Sequence, residues 1–475
     1  MNDITAENPS FDWELCGLLH NKIIDIGWAA GGYSETHDHR SWWEYHSTSH
    51  SLDGHTCHVH NQPLSTNSIL EQLEQRLPLD LIKFLKLAKN CDSGGPFCFI
   101  FADLCRPYEI LDYLDAANPF ASILAQSGGA YQICLYRANL SHGIGILFNI
   151  RTMGAFTLYC VEDQPGYGLP AGMIIPLETI LSGLLDMEKE KRIEAAGSQL
   201  HPGTGKPINP GKWSWNTRDN PEVITPKTVQ AWDSLLDAIE EKNPTLRHEQ
   251  CKVGYPPEAL SSAGLCTFWV EHRFIIEFLS SIRIPNFKYI APGLRLPTSA
   301  ELMNQPFGDQ QKFRRRLDPP TQVHVFPFVF LRTDQPVPMP PYGWLSPQWA
   351  KVTQNEAGLY LNSMYGYPDG CRLFLPIRVG ENGWAKKGDL TKFKPGGMAW
   401  SWYNIFYDGL YQPGNHSHIF RYPALSLERL LTNWTDMVKN GHWNVGPDGV
   451  SDGIEKFKEA DTEEKWRLYC IQSLW

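Results

Sequence analysis

The sequence predicts an α+β (or α/β) protein built from two related α+β units, each ending in a similar amphipathic helix. Short apolar runs typical of strands alternate with segments whose apolar residues recur at helical spacing. A second observation is an internal repeat. Residues 177–189 align without gaps with residues 427–439, and six of the 13 positions are identical. A repeated helix after a strand-rich region indicates a duplicated unit.

Composition and charge narrow the class of protein. A chain of 475 residues with 42% hydrophobic and 20% charged residues is neither disordered nor fibrous. A formal net charge of −10 argues against general nucleic-acid binding but leaves room for a local basic site. The apolar runs are far shorter than the roughly 18 residues of a membrane span. We expect a cytoplasmic protein without membrane contact, whose 11 cysteines are reduced thiols.

The elements of the first unit follow from periodicity. A strand is expected at Lys22–Ile26, before a His-rich loop. Helices are then expected from Thr66, over Leu79–Ala88 and over Pro176–Arg192, because apolar residues recur every three or four positions. Apolar runs bounded by turn residues predict strands, which are Phe97–Phe101, Tyr131–Tyr136, Ile144–Ile150 and Phe156–Val161.

The second unit is predicted in the same way. Helices are expected at Val229–Glu241, Pro257–Ile282 and Leu425–Asn440. Strands are expected at Val323–Leu331, Gly358–Leu361 and Arg372–Val379. Gly and Pro clusters then suggest a division into 1–196, a linker at 197–222, and 223–475 with Pro-rich insertions at 292–348.

Seven of the 16 histidines lie in the loop at residues 37–60. The pairs His37/His39 and His58/His60 have a spacing that places two imidazoles on one face of a strand, as in some metal sites. However, the surrounding sequence is typical of a loop and no helical His pair follows. We therefore expect no metal and no cofactor, and interpret His37 and His39 as residues for substrate contact or proton transfer. A metal-dependent oxidase or hydrolase is the alternative.

Two charged segments are further candidates. Lys312, Phe313, Arg314, Arg315 and Arg316 form a basic run on an acidic protein, which could attract a phosphate-bearing partner and stack a base on Phe313, or be a solvated charge run. Glu271 and Glu277 lie in an otherwise apolar helix that also carries Arg273. Charged side chains in such a helix either form a buried Glu–Arg pair or take part in the function of the protein.

The N-terminal unit resembles the SUKH superfamily of α+β interaction domains. The resemblance rests on Leu77-Pro78-Leu79-Asp80 at the start of a helix, the Gly94-Gly95 turn, the strand block and the closing helix at 176–192. It implies a non-enzymatic module that binds a partner protein.

A second resemblance is to the arginine-containing cyclodipeptide synthases of fungi. Residues Ala460–Glu464, with Trp466 and Tyr469, resemble fungal proteins. The expected strand that runs into a small-residue turn at Ala29–Ser34 is similar to the nucleophile turn of cyclodipeptide synthases, although Ala29 stands at the usual Ser position. These enzymes take aminoacyl groups from tRNA and join two amino acids into a diketopiperazine.

This second resemblance implies roles for particular residues. Ser34, beside Tyr33, would carry the first aminoacyl group as an ester, and Glu271 or Glu277 would move protons. Asp25 or Glu44 would pair with a substrate guanidinium, and Trp269 would contact the substrate. The partner would be aminoacyl-tRNA, bound by the basic run at 312–316.

Overall fold

The fold is that of a computed structural model, and it is of the predicted α+β class. The described residues are 11–32, 40–48, 65–91, 96–115, 131–138, 145–158, 174–197, 213–217, 221–247, 252–267, 270–305, 328–334, 357–361, 368–388, 390, 392–393, 410–412 and 424–472. They fall into two compact units. The N-terminal unit spans 1–218 with 415–421 and 474–475, and the C-terminal unit spans 219–414 with 422–473.

The N-terminal unit surrounds an antiparallel sheet with helices. Its described helices are α1 (Trp13–Ala30), α2 (Trp42–Thr48), α3 (Thr66–Arg76), α4 (Leu79–Leu87), α5 (Pro107–Tyr113) and α6 (Leu177–Lys189). Its described strands are β1 (Phe101–Leu104), β2 (Gln132–Ala138), β3 (Gly145–Asn149), β4 (Gly154–Leu158), β5 (Ile193–Gly197) and β6 (Trp213–Thr217). Strands β1 to β4 pair in chain order, and β5 pairs with β6.

Helix α1 replaces the strand that was expected at Lys22–Ile26. The Asp12 side chain accepts a hydrogen bond from the Leu15 N–H at 3.0 Å and caps the helix. Buried residues then recur at helical spacing, at Cys16, His20, Ile23, Ile24 and Trp28. The prediction was wrong because a five-residue window is too short to separate the two periodicities.

Two other boundaries also differ from the prediction. The strand expected at Phe97–Phe101 begins only at Phe101, because a tight turn with Phe99 at φ 48° precedes it. The segment expected as a linker contains β6, which pairs with β5 from Ile193↔Thr217 to Gly197↔Trp213. The Pro/Gly-rich residues 201–212 of that segment lie outside the described residues.

The C-terminal unit has the larger described sheet. Its described helices are α7 (Pro221–Lys242), α8 (Pro257–Ser262), α9 (Val270–Ser281), α10 (Ser299–Met303) and α11 (Leu427–Lys439), with 3-10 turns at Pro244–Leu246, Ile454–Asp461 and Trp466–Tyr469. Its described strands are β7 (Lys252–Val253), β8 (Arg283–Ile284), β9 (Tyr289–Ala291), β10 (Leu294–Arg295), β11 (Phe328–Thr333), β12 (Gly358–Leu361), β13 (Gly370–Phe374), β14 (Leu425–Ser426), β15 (Val445–Gly446) and β16 (Gly449–Val450). Eight of these strands form one sheet in the order β14-β13-β12-β11-β10-β9-β16-β15.

The helix expected at Pro257–Ile282 is two helices. Helix α8 ends at Ser262, and Gly264 follows with φ 90°. A residue in that conformation ends a right-handed helix, so α9 starts anew at Val270. The strand expected at Gly358–Leu361 is β12, with the same bounds. The strands expected at Val323–Leu331 and Arg372–Val379 correspond to β11 and β13, which have different ends, and residues 323–327 lie outside the described residues.

Similar ion pairs occur in the two units. In the N-terminal unit, Lys89 follows α4 and pairs with Asp25 of α1, with 2.5 Å between Nζ and Oδ1. In the C-terminal unit, Arg283 follows α9 and pairs with Asp237 of α7, with 2.6 Å between Nη2 and Oδ1. Each pair joins the first long helix of its unit to the end of a later helix.

The sheets share the same irregularity. A bulge precedes Tyr136 in β2 and Leu331 in β11. The next strand in each unit starts with a glycine of positive φ, Gly145 at 126° and Gly358 at 157°. A Cβ would lie 1.8 Å from the Tyr136 carbonyl oxygen and 2.1 Å from the Leu331 carbonyl oxygen, so both positions require glycine.

The repeated helices α6 and α11 also end alike. Lys191 at φ 60° and Gly441 at φ 72° follow their ends in the left-handed conformation. The N–H groups of Arg192 and His442 then donate to the carbonyl oxygens five residues earlier, each at 2.9 Å. This is the Schellman ending in both units. Both copies of the sequence repeat are therefore helices of the same length that end in the same way.

Candidate functional site

Most of the predicted catalytic, substrate-binding and tRNA-binding residues lie outside the described residues. They are Tyr33, Ser34, His37, His39, Trp269 and 312–316. Glu271 belongs to α9, but its side chain also lies outside the description. Their proposed roles stay predictions.

Asp25 and Glu44, predicted to bind a guanidinium, hold local structure. Asp25 forms the ion pair with Lys89. Glu44 accepts a hydrogen bond from the Ser41 N–H at 3.1 Å, while the Ser41 hydroxyl accepts one from the Glu44 N–H at 3.2 Å. This reciprocal arrangement is a capping box at the start of α2.

Glu277, the second candidate for the helix carboxylate, forms ion pairs on the surface. Its Oε1 accepts from the Arg273 Nε at 2.9 Å, and Arg273 also binds Glu222 at 2.7 Å. The Arg273 side chain is 48% exposed, so this is not the buried pair expected from the sequence. Thr225 Oγ1 donates to Glu277 at 3.4 Å.

The N-terminal unit contains a buried polar centre at His20. The imidazole lies 2.9 Å from the Tyr136 hydroxyl and 2.9 Å from the Lys89 carbonyl oxygen, and stacks on Phe97. Nε2 donates to the carbonyl, since a carbonyl can only accept, and Nδ1 accepts from the hydroxyl. Burial lowers the pKa of His20 to about 4, so the ring is neutral near pH 7.

Three lysines of the N-terminal unit lie over tryptophan rings. The pairs are Lys83 with Trp13, Lys86 with Trp43 and Lys89 with Trp28, at 4.9 to 5.4 Å from the ring centroids. Each ammonium also binds a carboxylate, of Asp80, Glu74 and Asp25 respectively. These cations are neutralised within the unit and fasten α4 to its neighbours.

The C-terminal unit has a loop that is organised by one carboxylate. Asp461 is 4% exposed. Its Oδ2 accepts from the N–H groups of Gly380 and Asn382 at 3.0 and 2.6 Å, and its Oδ1 accepts from those of Trp384 and Ala385 at 2.8 and 3.0 Å. Four charge-assisted bonds fix the backbone at 380–385.

Further contacts close this loop. An antiparallel bridge joins Lys386 to Lys392, and the Phe393 N–H donates to the Ala385 carbonyl oxygen at 3.4 Å. Cys470 Sγ donates to the Lys387 carbonyl oxygen at 3.2 Å, which ties the loop to the last 3-10 turn. The loop is thus fixed along its described length.

The side chains that the loop presents are apolar and cationic. Trp384 is 38% exposed and Leu390 is 43% exposed. The Lys386 ammonium and the Arg467 guanidinium lie 4.1 and 4.6 Å from the centroid of the Trp466 ring. We call Trp384, Lys386, Leu390, Lys392 and Arg467 the loop surface.

The sequence alone does not predict the loop surface. Two glycines that precede Trp384, Gly380 and Gly383, are the residues that indicate a turn here in the sequence. Their φ values are 105° and 78°. The ending that contains Asp461 and Trp466 had been singled out only by resemblance. No pattern at either segment reveals that the two segments meet.

Two further observations concern only the described residues. No group of three or more His, Cys, Asp or Glu among them could hold a metal ion. No helix in that part of the chain is both long enough and apolar enough to cross a bilayer.

The comparisons with known proteins gave no relative. No protein-family model, curated protein or solved structure matches the chain.

Proposed function

We propose that this chain is a binding protein, in which two SUKH-like α+β units form the scaffold and the loop surface of the C-terminal unit contacts a partner protein. The observation that carries the proposal is the Asp461 carboxylate, which fixes the loop backbone while Trp384 stays exposed. A large aromatic side chain on a rigid loop loses little conformational entropy on binding.

The composition of the loop surface supports a protein partner. Trp and Arg are the residue types most enriched among the side chains that dominate protein–protein affinity. Here Trp384 and Leu390 supply exposed apolar area, and the Arg467 guanidinium lies over the same Trp466 ring as the Lys386 ammonium of the loop. The loop at 380–393 and the 3-10 turn at Trp466–Tyr469 both belong to the C-terminal unit. They are additions to the scaffold that we propose for both units.

A cross-linking experiment tests this proposal. Trp384 is replaced by a photoreactive benzoylphenylalanine in the full chain, which is then irradiated in an extract of its native host. The protein captured is identified by mass spectrometry, purified and titrated into the unlabelled chain by calorimetry. We expect Trp384→Ala to weaken this binding by about 2 kcal/mol, roughly 30-fold.

The matched control places the same photoreactive group at Leu18, which is 57% exposed on α1. The proposal is contradicted if the same protein is captured from both positions. It is also contradicted if the captured protein binds the Trp384→Ala variant as tightly as it binds the original chain. A diketopiperazine formed from total tRNA, amino acids and their synthetases, and abolished by RNase, would instead support the cyclodipeptide synthase hypothesis.

A further inference from the structure

We infer that the loop surface binds an acidic segment of its partner, with partner carboxylates on Lys386 and Arg467 and an apolar partner side chain against Trp384 and Leu390. This inference rests on the proposed function and specifies the chemistry of the partner. It goes beyond that function because it assigns the charge of the ligand.

The cations that lie on tryptophan rings differ between the two units in whether a carboxylate binds them. In the N-terminal unit, Lys83, Lys86 and Lys89 each bind a carboxylate of their own unit. Lys386 and Arg467 have the same position over an indole ring. Yet no carboxylate of the described residues lies within ion-pair distance of either one. Their charge is therefore left for a ligand.

Lys386 and Arg467 are held in position before any ligand binds. The Trp466 ring is 8% exposed and fixed in the last 3-10 turn, so it holds both cations in place. The bridge between Lys386 and Lys392 places a third cation beside them. Positioned charges lose less side-chain entropy on pairing than freely rotating ones.

Nearby charges set the sign of the surface. Arg378 and Glu381 neutralise each other at 3.4 Å, and Lys465 binds Glu459 at 2.7 Å. The exposed Glu463 and Glu464 precede Arg467 by four and three positions, and neither forms an ion pair with it. Lys386 and Arg467 keep their charges without an ion-pair partner among the described residues, and such cations attract the acidic groups of a ligand.

An acidic protein segment fits better than a nucleic acid. Binding of single strands uses several exposed aromatic faces along a basic groove. Within the described loop surface only Trp384 offers such a face, because Trp466 is covered.

The test uses the full chain and three labelled probes in fluorescence anisotropy. They are a peptide of mixed Glu and Leu, the same peptide with Gln in place of Glu, and oligouridine. We expect the acidic peptide to bind about tenfold more tightly than the Gln peptide at low salt. The double variant Lys386→Glu/Arg467→Glu should lose that difference.

The matched control is Lys22→Glu, the same change at an exposed lysine of α1. It should change the affinity by less than about twofold. Equal binding of both peptides, or an unchanged affinity in the double variant, overturns the inference. Oligouridine that binds more tightly than the acidic peptide, and is lost in the double variant, overturns it in favour of nucleic acid.

The two proposals fail separately. If the protein captured at position 384 binds the double variant with unchanged affinity, the acidic ligand is wrong and the binding function stands. If nothing is captured at position 384, the binding function itself fails.

Discussion

At the scale of single residues, carboxylates in this chain mainly fix backbone or neutralise a nearby cation. Glu44 caps α2, Asp25 binds Lys89, and Asp461 holds the 380–385 loop. Their side chains look alike in the sequence. Their roles differ because each one meets a different partner in space, and for Asp461 the partners lie 76 to 81 positions earlier.

Replacement of Asp461 should release the loop. Asp461→Ala leaves four backbone N–H groups without their acceptor and should destabilise the C-terminal unit by roughly 2–3 kcal/mol. Asp461→Asn keeps one acceptor oxygen and should be intermediate. Urea unfolding followed by tryptophan fluorescence measures the change. Glu463→Gln, at an exposed neighbour, is the control, and equal stability of all three variants would show that the loop does not depend on Asp461.

At the scale of elements, the amphipathic helices were predictable and the first helix was not. Helices α3, α4, α6 and α11 have long, regular apolar spacing, and the structure confirms them with small changes at the ends. Helix α1 is apolar along most of one side and contains Gly17 and Gly27. Gly27 lies against Trp213, whose ring nitrogen would be 2.5 Å from an added Cβ. That close approach explains why a poor helix former occurs inside a helix.

The equivalent glycines of the two sheets give a prediction at this scale. Gly145→Ala and Gly358→Ala should each cost at least about 2 kcal/mol of unfolding free energy, because the new Cβ would meet a carbonyl oxygen in a strained backbone conformation. Urea unfolding of the full chain measures both.

Gly453→Ala is the matched control for these two variants. Gly453 has φ −79°, and an added Cβ would have no neighbour within 4 Å. It should be within about 0.5 kcal/mol of the original chain. If Gly145→Ala and Gly358→Ala are equally mild, the two strands do not approach as closely as the structure has them.

At the scale of the whole molecule, acid should weaken the N-terminal unit first. Burial lowers the pKa of both His20 and His46 from 6.5 to about 4. Between these pH values the unfolded chain binds protons that the folded chain does not, so stability falls as the pH drops from 6.5 to 4. For His20 the full loss is about 3 kcal/mol. In the C-terminal unit the Arg295 guanidinium lowers the pKa of Glu301 from 4.5 to about 2, so its stabilising effect is lost as the pH falls from 4.5 to about 2.

Urea unfolding at pH 7 and pH 5, with hydrogen exchange to identify the unit, checks this order. His20→Gln stays neutral at both pH values, so its N-terminal unit should show a smaller difference between them. A C-terminal unit that unfolds first at pH 5, or an unchanged difference in His20→Gln, would contradict the assignment.

The α+β class, most of the later helices and strands, and the repeated closing helix could be predicted from the sequence. These features depend on the local spacing of apolar residues, which a sequence displays directly. The repeat at 177–189 and 427–439 was visible because both helices bury residues at five of the same aligned positions and begin and end alike.

Tertiary contacts are needed to specify the helical state of residues 22–26, the position of β6 and the arrangement of the loop surface. Each depends on groups that are distant in the sequence. Trp213 packs on Gly27 of α1, and Asp461 binds the 380–385 backbone. Lys386 reaches its indole ring at Trp466, 80 positions later. Burial and hydrogen bonding act through space, so a pattern read along the chain cannot specify which distant partners they join.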